Sequence, residues 1–180
     1  MNPEIGDIID CRKTPLGHFV LTLGIKTKQN KMEVMYYMIY SRVYAVFPSI
    51  INFFNDCISS KYERFFVAFS KEKGKDKITP YGKLCDVFFL DMESHYKGCL
   101  DVDSMIVVNK NPETIDIETL NQWRSNYKVV HRSRLEGGDF IKFMEMIKLS
   151  PHINGENVAY ICKNYKEYKK SIIRNQKSGP

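Results

Sequence analysis

Between Gly6 and Phe47 three β-favouring runs follow one another with only short polar turns between them, and this spacing limits how the chain can fold. The runs are GDIIDCRK from Gly6, HFVLTLGI from His18 and MEVMYYMIYSRVYAVF from Met32. The turn PLG and the polar connection KTKQNK join them. A parallel crossover needs a dozen or more residues between its strands, so these runs are expected to pair as an antiparallel meander. The third run is long for a single strand and should bend or bulge.

Pro48 suits the first turn of a helix, and Ile50, Ile51, Phe53, Phe54, Cys57 and Ile58 recur behind it at helical spacing. YERFFVAFS and LCDVFFLD read as strands, with the lysine-rich stretch KEKGKDKITPYGK between them as a basic loop. CLDVDSMIVVN reads as one bent strand or a strand pair. A short helix is expected near Asp116, an acceptable N-cap, and NYKVVHRSRL as a last extended segment. After Gly137 and Gly138, Asp139 caps a helix that turns Phe140, Ile141, Phe143, Met144 and Ile147 inward and stops at Pro151. The final helix, from Gly155, carries Val158, Ile161, Cys162, Tyr165 and Tyr168 on one stripe with lysines opposite, and NQKSGP should fray. The 180 residues fit one domain, or one domain with an appended piece. The expectation is an α+β chain whose six or seven strands close into a small barrel, since closure removes open edges.

The formal charge of +6 is unevenly placed. From Lys163 onward six basic residues stand against one acid, Glu167, and a second basic island spans Lys71 to Lys83. Such patches either solvate a face or meet an anionic partner, of which nucleic acid is the commonest. The five cysteines are scattered without a CxxC pair, and no histidine lies at metal-ligand spacing from one, so no metal or cofactor is expected. The N-terminus has no signal-peptide pattern, and no apolar run reaches the length of a membrane span. A reduced, cytoplasmic protein away from the membrane is the expectation.

Phosphate-binding GxxxxGK[ST] and GxGxxG loops, HExxH and GxSxG are all missing, which leaves nucleotide hydrolysis, zinc proteolysis and α/β-hydrolase chemistry without support. Polar groups beside turns remain: His18, then Asp101 and Asp103 in GCLDVDS, then His131, Arg132 and Arg134 in VVHRSRLE. Metal-free RNA cleavage needs a base for the 2′-hydroxyl, an acid for the leaving 5′-oxygen and a cation for the phosphorane. A histidine, a carboxylate and an arginine can divide those roles. The competing reading is plain: His18 opens a strand, and the alternating acids near Asp103 form a solvated face.

Four segments in order resemble the MazF/PemK/Kid-like toxins, the endoribonucleases of toxin–antitoxin pairs. Gly6-Asp7-Ile8-Ile9 fills the family's G-[DE]-[IV] opening, and Gly17-His18 precedes FVLTLGI as a Gly-His pair does in the Kid/PemK branch. GCLDVDS offers Asp103 on the family's G-x-x-x-x-D strand, and Arg134-Leu135-Glu136 leads to a helix closing on Leu149-Ser150. The resemblance covers about residues 3–45 and 84–153 and implies an SH3-like barrel, usually a homodimer with an antitoxin partner, that cleaves single-stranded RNA without metal. It implies His18 and Asp103 in the catalytic cleft. The family's arginine falls at Asp101, so Arg132 or Arg134 would have to serve as the phosphate clamp. Residues 1–153 would form the barrel domain, with 46–83 inserted as a helix and basic loop, and 154–180 a basic C-terminal helix and tail. Arg12, Lys13, Lys73, Lys75, Lys77, Lys169 and Lys170 would hold the RNA backbone in a toxin or phage-defence setting.

A second reading is a noncatalytic barrel module that binds nucleic acid or a protein. A third is an interaction protein docking through its last helix.

Overall fold

The computed structural model describes residues 2–41, 62–72, 75–80, 82–90, 96, 99–100, 104–126, 128–135 and 137–177. The helix expected after Pro48, with Asp101, Asp103 and Lys73, lies outside them. Two compact units interleave along the sequence: residues 1–37, 112–135 and 153–180 form one, and residues 38–111 and 136–152 the other. The class is α+β with antiparallel pairing, as the early meander requires.

In the first unit β1 (Asp7–Asp10) pairs with β2 (Phe19–Lys28), and β3 (Lys31–Ser41) begins after a turn of Gln29 and Asn30, both at positive φ. That two-residue turn lets both strands run through most of KTKQNK, so the connection is shorter than the lysines suggested. The start of β3 also pairs with β8 (Glu113–Asp116), a strand that the sequence alone does not announce ahead of the helix. Helix α1 (Ile117–Ser125) starts where expected: the Asp116 side chain accepts from the backbone N–H of Glu118 and of Thr119. β9 (Val130–Arg134) pairs with β1 on the side away from β2. Helix α3 (Gly155–Lys177) lies on β2, burying Ile161, and runs on through Asn175 to Lys177, where fraying was expected.

In the second unit the end of β3 pairs with β7 (Ser104–Val108), followed in order by β6 (Lys83–Leu90), β4 (Tyr62–Glu72) and β5 (Lys75–Pro80). Thus the stretch read as a basic loop is largely a β4–β5 hairpin with Lys75 opposite Glu72 and Lys77 opposite Ser70. Lysine is a poor strand former, and only the partner strand β4 supplies the reason for extended structure here. Helix α2 (Gly137–Leu149) packs on β4 and β6, with Phe143 edge-on to Phe88 at 5.2 Å between ring centroids. Tyr96, fully buried, donates to Asp139 Oδ2 at 2.9 Å in the first turn of α2.

Among the described residues each strand path has two ends and no pairing closes it into a ring. No helix among them is long and apolar enough to cross a membrane.

Candidate nucleic-acid interface

Two carboxylates of β1 organise the polar face of the first unit. Asp7 and Asp10 flank the fully buried Ile8 and Ile9 and are themselves almost buried, so each must find donors. β9 provides them. Opposite β1 its register runs Ser133 to Ile8 and then His131 to Ile9, leaving Arg132 as the extra residue of a bulge. A bulge re-aims side chains, and here it sends Arg132 to one acid while His131 and Arg134, three apart, share the other.

Asp10 is the centre of the first cluster. Its Oδ1 accepts from the Arg12 backbone N–H at 3.1 Å and from Arg12 Nε at 3.0 Å. Its Oδ2 accepts from Arg12 Nη2 at 2.9 Å and from Arg132 Nη2 at 2.8 Å. Burial pushes the Asp10 pKa up, but the bonds from Arg12 and Arg132 outweigh it and hold the carboxyl well below the usual range. It is therefore an ionised acceptor at neutral pH and cannot serve as a general acid. The Arg12 guanidinium carbon lies 4.3 Å from the centroid of Phe19, the residue paired with Asp10 across β1 and β2. Both arginines remain open to solvent, with side chains 42% and 38% exposed.

Asp7 centres the second cluster. Its Oδ1 accepts from Arg134 Nε at 2.7 Å and stands 3.2 Å from His131 Nε2, and its Oδ2 accepts from the Glu4 N–H at 2.8 Å. Arg134 Nη2 also reaches Glu4 Oε2 at 2.8 Å, and its guanidinium lies over the Tyr168 ring of α3 at 4.9 Å. Burial opposes the Arg134 charge, yet Tyr168, Asp7 and Glu4 together raise its pKa further above the ordinary value. Arg134 is thereby a structural pin joining β1, β9 and α3, whereas Arg132 keeps its remaining donors outward.

His18 stands half-buried at the start of β2, and its carbonyl accepts from the Cys11 N–H at 3.1 Å. The turn before it is tied by Thr14, whose hydroxyl donates to Cys11 O at 2.8 Å, and by Gly17 at φ +67°. This turn lifts Arg12 and Lys13 to the surface. The structure thus brings His18, Arg12 and Arg132 to the same end of the β1–β2 pair. Lys169 and Lys170 are exposed on α3, and Lys75 and Lys77 belong to β5 in the other unit. Cys11 offers no nucleophile: burial, and then the Asp10 charge, push its thiol up to about 12.

The organising acids Asp7 and Asp10 were missed as site residues by the sequence reading. Their signal was present in the pairing of DIID with HRSR, two acids against a histidine and two arginines, but only the strand register joins them. A cavity of about 660 Å³ also opens in this unit, lined by Glu4, Gly24, Tyr160, Lys163, Asn164 and Tyr168 among others, and it includes none of Arg12, His18 and Arg132. Comparison of the chain with protein-family models, with curated proteins and with solved structures finds no match.

Proposed function

We propose that the chain binds single-stranded RNA through the face made by the 11–18 turn and β9. The observation that carries this reading is the meeting of Arg12 and Arg132 on the single carboxylate Asp10, with both side chains exposed to solvent. Guanidinium groups fixed by a shared carboxylate can meet a phosphate without large loss of side-chain entropy. Lys13 beside the pair, with Lys169 and Lys170 on α3, adds the diffuse positive field that backbone binding uses. The test is fluorescence anisotropy of a labelled single-stranded RNA over a salt series. Affinity should fall linearly on a log–log plot, and binding that ignores salt, or no binding, would remove the reading.

Metal-independent endoribonuclease activity is the second reading, favoured by the half-buried His18 at the same end of β1–β2 as the arginine pair. In it His18 moves the proton, Asp103 assists it and Arg132 clamps the phosphate. The held-ionised Asp10 takes no proton and only orients the clamp. With this reading come a closed SH3-like barrel, a homodimer and an antitoxin protein. Cleavage of single-stranded RNA in the presence of EDTA should disappear in His18→Ala and in Asp103→Ala. Cleavage surviving both substitutions would reject the assignment and leave a binding module.

A further inference from the structure

We propose that Arg12 and Arg132 divide one nucleotide between them: Arg132 takes the phosphate, and Arg12 carries an unpaired base on its outer face. This deepens, and rests on, the RNA-binding reading above. The two arginines differ in what Asp10 leaves them. Arg12 gives Nε and Nη2 to the carboxylate in a fork, at 3.0 and 2.9 Å, so the plane of its guanidinium is fixed by Asp10. The guanidinium carbon stands 4.3 Å over the ring of Phe19, a residue only 3% exposed, so the ring covers that side of the group. The Arg12 side chain is nonetheless 42% exposed. A flat, weakly hydrated cation backed by an aromatic ring and fixed in plane is a stacking platform. Its charge is largely balanced by the carboxylate it grips, which makes it a weaker phosphate ligand than its neighbour.

Arg132 is the complement. It gives one amino group to Asp10 Oδ2 at 2.8 Å, and its side chain, at the bulge of β9, is 38% exposed. Both arginines contact the same oxygen, so the two functions fall within the span of one nucleotide. A base inside a duplex has both faces covered, so the platform selects unpaired strands. Every base has a π-face, so the platform is tolerant of sequence.

The experiment uses the full chain and two labelled RNA strands of equal length, one ordinary and one abasic throughout, titrated by anisotropy over a salt series. Wild type should bind the ordinary strand more tightly than the abasic one. Arg12→Lys keeps the charge and removes the plane. It should weaken the ordinary strand by about 5- to 100-fold and the abasic strand by far less. Arg132→Gln should weaken both strands alike and lower the salt slope by about one. Equal wild-type affinity for the two strands overturns the platform without any variant. So does an Arg12→Lys loss of the same size on both strands. Salt-dependent RNA binding persisting in either case would keep the broader reading while this subsite fails, whereas no binding to either strand removes both.

Discussion

Asn164 of α3 fills the space that a side chain at residue 24 would need: a β-carbon on Gly24 would stand 2.4 Å from Asn164 Cγ. The same amide donates through Nδ2 to Ile25 O at 3.1 Å and to Tyr160 O at 3.0 Å, so one side chain fastens the helix to β2. Gly24 also has φ +92°, where an L side chain is strained. Gly24→Ala should therefore cost about 2–3 kcal/mol, read as a lowered urea midpoint at constant m. Gly17→Ala, also at positive φ but with nothing within 4 Å of the added carbon, should cost about 1 kcal/mol. Adding Asn164→Gly to Gly24→Ala removes every clashing atom, including the Asn164 β-carbon at 2.7 Å, and should recover the steric share only; additive losses in that double mutant would reject the contact.

The two arginines of β9 should separate in stability as they do in geometry. Arg134→Ala takes the guanidinium from the nearly buried Asp7, which keeps only the Glu4 N–H and the His131 ring beside it, and removes the cation over Tyr168; it should cost about 2–4 kcal/mol. Arg132→Ala leaves Asp10 with the Arg12 fork intact and should cost less than about 1 kcal/mol. Amide exchange near Tyr168 should quicken in the Arg134 variant alone. Equal losses in the two variants would contradict the division between pin and clamp.

Much of the first unit was legible in the sequence because its signals are local. Ile8 and Ile9, the Pro15–Gly17 turn and HFVLTLGI announced β1 and β2, and Asp116 announced α1 through its own side-chain chemistry. What was not legible depends on partners distant in sequence. Lys75 and Lys77 look like loop residues until β4 is laid beside them, and ETID reads as a helix approach until the start of β3 pairs with it. The site follows the same rule. His18 and Arg132 could be named as separate polar groups beside turns. No spacing in the sequence announces that a bulge at Arg132 would carry it to Asp10, because a bulge is a property of two strands.

Asp10 should shape the acid limb of the stability curve. Its folded pKa lies well below the ordinary value, so between the two values the unfolded chain binds a proton that the folded one refuses. The stabilisation is complete above the unfolded pKa of about 4 and drains away as pH falls below it, by up to about 1.4 kcal/mol per pH unit. Asp10→Asn should be less stable at pH 7 and show a flatter decline below about pH 4. Urea midpoints across that range measure it, and an unchanged slope would mean that Asp10 is not held by its arginines in solution.

The thiols give a check that is independent of RNA. Cys11 is fully buried and its pKa is pushed up to about 12, so in the folded chain almost none of it is thiolate at pH 8. Cys162, half-buried on α3, has an easier path to solvent. Brief treatment with iodoacetamide at pH 8, followed by peptide mapping, should label Cys162 well before Cys11. Both should react at similar rates once the chain is unfolded in urea. The reason lies in the same small region as the binding face: Cys11 sits between the acid that grips two arginines and the turn that presents one of them, Arg12. Arg132→Ala should leave its protection in place, because Asp10 keeps its fork to Arg12 and β1 keeps its pairing to β2. Rapid labelling of Cys11 in the folded wild type would show that the 11–18 turn opens readily, and the arginine pair could not then be a preformed receptor.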